Sequence, residues 1–320
     1  MLCPLISVVI PAYNSSKTIT RAVESAQNQK DVKVEIIVVD DASTDNTAEV
    51  VRSLQKNDSR IRLIRHETNK QVGQARNTGI DAATADWIAF LDADDEWLPE
   101  KLISQFRECI KSSEPENVFC FGYFMERAEN GKITTPSRFL KGAWPRENGA
   151  QEYQVFEPEA VRDDLMNSGI WFGGSSSLFA HKKALKKAGG YDPEFAFCED
   201  NYLVLKHILN KGEKPQGEVR IVPKPLMIYA DPGYEDNSAR YNAGLFPLKT
   251  IGQKCFFAQQ FGARKAKSFI EHYGFYFSRE GSPADPKQIK KAMYEICENA
   301  PCLRGFHCGL KGGYCDSPSP

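Results

Sequence analysis

Between Ile6 and about residue 105, short β-branched runs alternate strictly with amphipathic helical segments, and this alternation limits the fold more than any other feature of the chain. The runs are Ile6-Ser7-Val8-Val9-Ile10, Val34 to Val39, Ile61 to Ile64, and Trp87 to Leu91. Between them Ile19, Ala22, Val23 and Ala26, and then Ala48, Val51 and Leu54, fall on single helical faces. Ser15 or Ser16 is expected to cap the first helix. Gly73 to Ala83 predicts a third helix. Strict βα alternation predicts an α/β domain with a parallel sheet and right-handed crossovers. Ligands of such sheets bind beyond the carboxyl ends of the strands.

Three polar clusters stand at those ends: Tyr13-Asn14, Asp40-Asp41, and Asp92-Ala93-Asp94-Asp95. The last packs three carboxylates into four positions, where they repel one another and resist burial. Alone it would pass for an acidic loop capping a strand. Three clusters on one edge point instead to a shared cleft. Neither a G-x-G-x-x-G after the first strand nor a Walker loop with its lysine is present, which argues against a dinucleotide dehydrogenase or a P-loop nucleotidase. Phosphates are then expected to be handled through a divalent cation, magnesium or manganese, held by carboxylates.

A net charge of −1 with 26% charged residues gives nucleic acid nothing to recognise. No apolar run reaches membrane-spanning length, and the start lacks a basic leader, so a cytoplasmic location is expected. The nine cysteines, mostly scattered, are expected to be reduced thiols. Cys297, Cys302, Cys308 and Cys315, with His307 among them, do not have the short paired spacings of zinc modules, which favours free thiols there too.

After Pro99 a helix through Leu102, Ile103, Phe106 and Ile110 is expected, then a strand over Val118 to Phe124. Residues 126 to 160, rich in Gly, Pro, Lys and Arg, are expected to form a surface excursion of the lid or binding-loop type. Around Gly173-Gly174 either a strand bends or backbone closely approaches a ligand or another strand. A basic helix over His181 to Ala188 should stop at Gly189-Gly190. Glu199-Asp200 opens another helix, and Leu226 to Tyr229 reads as a strand. From Leu245 to Phe277 a basic-aromatic stretch either covers the core or lies on an anionic membrane, here the inner face of the membrane.

Ser7-Val8-Val9-Ile10-Pro11-Ala12-Tyr13-Asn14, Val39-Asp40-Asp41-Ala42-Ser43-Thr44-Asp45, Ala75-Arg76-Asn77-Thr78-Gly79-Ile80, Phe90-Leu91-Asp92-Ala93-Asp94-Asp95, Gly189-Gly190-Tyr191-Asp192 and Glu199-Asp200 occur in that order. The ordered set resembles glycosyltransferase family 2 over roughly residues 5 to 230. The resemblance implies a GT-A fold: a Rossmann-like, mixed but mainly parallel sheet flanked by helices. Residues 1–230 would form this domain, with 1–105 the nucleotide-binding half and 106–230 the acceptor-binding half. Residues 231–320 would be a C-terminal extension, helical and then loop-rich.

The implied activity is inverting, metal-dependent transfer of a sugar from a nucleotide diphosphate, by expectation a UDP-sugar. The acceptor would be a hydroxyl of a saccharide or lipid-linked saccharide in polysaccharide, lipopolysaccharide or glycoconjugate synthesis. By the family pattern Pro11, Tyr13, Asp40 and Asp41 would surround the base, with Arg76 near the same pocket. Asp92 and Asp94 would meet the nucleotide, and Asp94 and Asp95 would hold Mn2+ or Mg2+. Asp200 would be the catalytic base, with Glu199, Gly173 and Gly174 beside the donor sugar and acceptor. The Gln-x-x-Arg-Trp motif of processive members is absent, and no histidine occurs between His207 and His272. A sugar nucleotidyltransferase and a non-catalytic binding relative are the alternatives. The first lacks its Gly-rich basic loop after the first strand, and the intact carboxylates weigh against the second.

Overall fold

The computed structural model describes residues 3–127, 131–134, 154–156, 174–193, 199–209 and 217–230. These all fall in one unit made of Met1–Arg162 with Ile170–Gly233. The C-terminal extension, the basic-aromatic stretch, the Cys297 to Cys315 cluster, Gly173 and most of the 126 to 160 excursion lie outside the described residues.

The first half alternates as expected: β1 (Leu5–Ala12), α1 (Ile19–Gln27), β2 (Lys33–Asp40), α2 (Thr47–Asn57), β3 (Ile61–Arg65), α3 (Gln71–Ala82) and β4 (Trp87–Phe90). Then come β5 (Glu96–Trp97), α4 (Lys101–Cys109), β6 (Val118–Arg127), β7 (Ile133–Thr134) and β8 (Gln154–Phe156). A single turn α5 (Gly174–Ser177), β9 (Phe179–His181), α6 (Lys182–Lys187), α7 (Glu199–Leu209) and β10 (Glu218–Ala230) follow. The sheet order is β3-β2-β1-β4-β9-β6-β10-β5, with β7 on β6 and β8 on β10. β3, β2, β1 and β4 are parallel. β9 runs antiparallel between β4 and β6, and β6 is parallel to β10. The fold is therefore the mixed, mainly parallel α/β sheet expected of a GT-A domain.

β1 explains the layering. Ile6, Val8 and Ile10 share one core with Ile19, Ala22, Val23 and Ala26 of α1 and with Leu102, Ile103 and Phe106 of α4. Val9 points to the opposite face, where Gly79 of α3 lies against it. Residues alternate sides along a strand, so an unbroken apolar run is what a strand covered by helices on both faces requires. Each such Val or Ile, fully buried, contributes roughly 1.5–3 kcal/mol.

The chain leaves β1 for β2 on one side and returns to β4 on the other. The carboxyl ends of β1 and β4 therefore diverge at the topological switch point, where open α/β sheets form a crevice.

Several elements differ from expectation. α1 begins at Ile19 with Thr18 at its cap and no side-chain cap bond. Ser15 and Ser16 are occupied elsewhere: their N–H groups donate to Thr47 Oγ1 and Asp45 Oδ2 in the loop after β2. β10 is much longer than Leu226 to Tyr229, because it continues past two register shifts around Pro225 that proline's missing N–H accounts for. β5 was not expected; it pairs Trp97 with Met227. The short strands β7 and β8 interrupt the excursion. Around Gly174 the chain forms a turn of helix before a strand, rather than a bent strand. Cys3, Cys109 and Cys120 are free thiols. Among the described residues no helix is long and apolar enough to cross a membrane.

Candidate active site

Two loops make the corner at the ends of β1 and β2. Asn14, at φ +52°, accepts from the Thr44 N–H at 2.8 Å through Oδ1, while its own N–H donates to Ser43 Oγ at 2.9 Å. Ala42 also sits in the left-handed region, at φ +62°, which folds Ser43 back so that its N–H meets Asp40 Oδ1 at 3.0 Å. A left-handed alanine costs of order 1 kcal/mol and persists where its surroundings fix it. Asp40 is buried and pairs with Arg65 at 3.2 Å. The Asp41 N–H donates to the Ala12 carbonyl at 2.8 Å, which ties the buried Asp41 to the end of β1 just before Tyr13, a residue 42% exposed. Pro11 is buried within β1.

Asp41 Oδ1 lies 2.6 Å from His66 Nδ1 and accepts from the Lys70 N–H at 2.9 Å. His66 Nε2 is 3.0 Å from Thr78 Oγ1. Sequence reasoning passed over His66, although it directly follows β3 and so marks a further polar strand end on the same edge.

The run Ala75-Arg76-Asn77-Thr78-Gly79 on α3 gives most of its letters a distinct task. Thr78 reaches His66. Gly79 clears β1: a Cβ there would lie 2.2 Å from Val9 Cγ1. Asn77 clamps the backbone of Tyr191 from both sides, Nδ2 donating to its carbonyl at 2.7 Å and Oδ1 accepting its N–H at 2.8 Å. Gly189 and Gly190, at φ +79° and +64°, deliver Tyr191 to that clamp. Tyr191 is buried, donates its hydroxyl to Ser175 Oγ at 2.9 Å and packs edge-on against Phe90.

Arg76, expected near the base pocket, has its guanidinium between two acids. Nη2 donates to Asp92 Oδ1 at 2.7 Å and Nη1 to Glu199 Oε1 at 2.6 Å, with the Tyr191 ring 5.1 Å away. Burial works against its charge, but Asp92, Tyr191 and Glu199 more than offset this and hold it well above the ordinary arginine range. The residues of the Gly-Tyr and Glu-Asp motifs are thus brought to the β4 end by α3.

At that end Asp92 takes Ser176 Oγ on its N–H at 2.8 Å. Ser176 offers its carbonyl to the Trp97 indole N–H at 2.9 Å. Arg21 donates to the Asp94 carbonyl at 2.6 Å and closes the loop from the α1 side. The three consecutive serines of α5 are all buried and bond respectively to Tyr191, to Asp92 and Trp97, and to Gly122. Asp92 and Asp94 are half-buried, whereas Asp95 is 1% exposed.

Glu199 and Asp200 form the first turn of α7, where the helix dipole favours acids. Glu199 is buried and committed to Arg76; Asp200 is half-buried. Gly174 is positioned by φ +63° at the start of α5.

The side-chain donors at the β4 end are carboxylate oxygens, the type that magnesium and manganese take. Among the described residues no group of three or more His, Cys, Asp or Glu side chains is arranged to hold a metal ion. A cation bound through one or two carboxylates, with substrate phosphates and water completing its shell, suits this donor set, as is usual for magnesium.

Residues 7–179 match the family model for Glycosyl transferase family 2. Over 143 residues the chain is 37% identical to the UDP-Glc:alpha-D-GlcNAc-diphosphoundecaprenol beta-1,3-glucosyltransferase WfaP of Escherichia coli, covering 43% of this chain and 55% of that protein. It is 48% identical over 99 residues to the succinoglycan biosynthesis protein ExoO of Rhizobium meliloti, 31% of this chain and 28% of that protein. The chain thus spans between 28% and 55% of the length of these relatives. The crystal structure of S. aureus TarS 1-349 in complex with UDP-GlcNAc shares the fold, with a TM-score of 0.60 at 19% identity over 94% of this chain and 83% of that one. The family match runs from β1 to the start of β9, more than half of the sequence, and the chain belongs to glycosyl transferase family 2.

Proposed function

We propose that this protein transfers a sugar from a uridine diphosphate sugar to an acceptor hydroxyl, with inversion at the anomeric carbon, in the assembly of a polysaccharide or lipid-linked glycan. One observation carries the reading. Arg76 joins Asp92, at the switch-point crevice, to Glu199, the neighbour of Asp200, so a donor-binding edge and a candidate base stand together. Family membership supports glycosyl transfer. The UDP-GlcNAc bound to TarS supports a uridine nucleotide, and the diphosphoundecaprenol acceptor in the name of WfaP supports a lipid-linked one.

In this reading Pro11, Tyr13, Asp40 and Asp41 surround the base, and Asp92 meets the ribose. Asp94 and Asp95 would hold magnesium or manganese, which supplies positive charge against the leaving diphosphate. Asp200 accepts the proton of the acceptor hydroxyl as that oxygen bonds to the anomeric carbon and the bond to the diphosphate breaks. A base on the face opposite the leaving group gives inversion in one step. Glu199, held by Arg76, is poorly placed to serve instead, because its charge is already engaged.

The test is Asp200→Asn, assayed for transfer from a panel of UDP-sugars and for UDP binding by calorimetry. Binding near that of the wild type with transfer lost is expected. A variant that keeps most of its transfer activity overturns the assignment of the base.

A further inference from the structure

We infer that His66 is a specificity-determining residue: through Asp41 it selects a uracil base over cytosine. The inference deepens the proposed function and rests on Asp41 meeting the base of the donor.

Both hydrogen bonds to the Asp41 carboxylate fall on Oδ1, one from His66 Nδ1 and one from the Lys70 N–H. Oδ2 is therefore the oxygen a ligand would meet. His66 is itself fixed from behind, since Nε2 contacts Thr78 Oγ1 and that hydroxyl lies 3.1 Å from the Gln74 carbonyl. Asp41, His66 and Thr78 thus form a chain running from β2 through the end of β3 to α3. An ionised carboxylate has no proton to donate. With Nδ1–H as the donor, Asp41 is the acceptor in its pair with His66, and its second oxygen is an acceptor as well.

That matters for the base. Uracil presents N3–H, a donor, whereas cytosine presents N3 as an acceptor. A buried carboxylate oxygen at the end of β2 attracts the first and repels the second. A site built around one hydrogen-bond polarity rejects the opposite one strongly, because a buried polar group is left unpaired. His66 is a positioning residue for this discrimination: it turns and holds Asp41 and need not touch the nucleotide.

Two polar variants separate this role from a general need for a polar side chain. The amide nitrogen of His66→Asn falls where Nδ1 stood and keeps the donor to Asp41. That of His66→Gln falls nearer Nε2, keeping the contact to Thr78 and losing Asp41. UDP and CDP binding are measured by calorimetry in the full chain with manganese present. His66→Gln is expected to weaken UDP about tenfold and to lower the preference for UDP over CDP by a similar factor, the loss expected when a hydrogen bond to a charged group is misaligned. His66→Asn is expected to stay within about threefold of wild type in both. Thermal unfolding of the two variants shows whether they fold alike. Equal UDP affinity and equal preference in Gln, Asn and wild type overturn the role of His66 alone. A wild type that binds neither nucleotide overturns the proposed function, and this inference with it.

Discussion

Arg76 Nη1 and Glu199 Oε1 lie 2.6 Å apart, and this contact joins residues 123 positions distant in sequence. With Asp92 on Nη2, the buried guanidinium closes an acid–base–acid bridge between the buried Glu199 and the half-buried Asp92. Removing the central partner of such a bridge leaves uncompensated buried charge, at about 3–5 kcal/mol. Arg76→Met is therefore expected to lower the unfolding free energy by about 3 kcal/mol. Combined with Glu199→Gln it should cost clearly less than the sum of the two, with a coupling of about 1 kcal/mol or more. Strict additivity in denaturant unfolding would mean that the contact is energetically idle.

A second expectation concerns the β4 carboxylates. Manganese or magnesium should strengthen UDP binding, and Asp94→Ala and Asp95→Ala should each remove much of that gain. The two should differ in stability. Asp95 is 1% exposed, so its loss also disturbs the buried loop that Arg21 and Ser176 hold, whereas Asp94 is half-buried. Calorimetry showing unchanged, metal-independent UDP binding in both variants would remove the metal from these residues.

The sheet was legible because it rests on a repetitive physical signal, an apolar run followed by an amphipathic helix, which survives without knowledge of any distant partner. The shared cleft at the carboxyl edge followed from where that signal placed Asp40-Asp41 and Asp92 to Asp95. What stayed hidden depends on partners far away in sequence. Nothing near Ser175-Ser176-Ser177 announces that its hydroxyls meet Tyr191, Asp92 and Gly122. Nothing near Arg76 announces that its guanidinium bonds Glu199 as well as Asp92. β5, two residues long, has no periodicity to find, and Pro223 and Pro225 disguised the middle of β10.

Gly79 carries a packing constraint that propensity alone would misjudge. In an exposed helix Gly→Ala gains up to about 1 kcal/mol. Here the added Cβ would lie 2.2 Å from Val9 Cγ1 and 2.9 Å from Cγ2, both in the sheet core. Gly79→Ala is expected to destabilise by about 1–3 kcal/mol, the usual cost of overpacking. Val9→Ala in the same chain should recover part of the loss. On the same helix Gly73→Ala meets Tyr191 Cβ at an ordinary 3.4 Å and should be neutral or stabilising. Urea midpoints for the three variants and the wild type decide the matter, and a stabilised Gly79→Ala would contradict the close approach of α3 to β1.

His207 predicts the acid limit of the fold. Its ring is buried on α7, stacked 3.7 Å from the Phe119 ring, with Nε2 3.1 Å from the Glu218 carbonyl. Burial pushes its pKa down to about 4 from 6.5, the Glu218 carbonyl only partly opposing this. Between those values the unfolded chain binds a proton that the native ring does not, so stability rises with pH across that window and falls as pH drops through it. The loss is complete below about pH 4 and amounts to at most about 3 kcal/mol. His207→Gln, which cannot titrate, should therefore be less stable than wild type near pH 7, where the ring packs neutral against Phe119, yet show a flatter decline between pH 6.5 and 4. Because α7 also carries Glu199 and Asp200, opening at this contact should release the Arg76 bridge as well. Denaturant unfolding at half-unit pH steps measures the slope directly, and equal slopes for the two proteins would show that His207 does not set it.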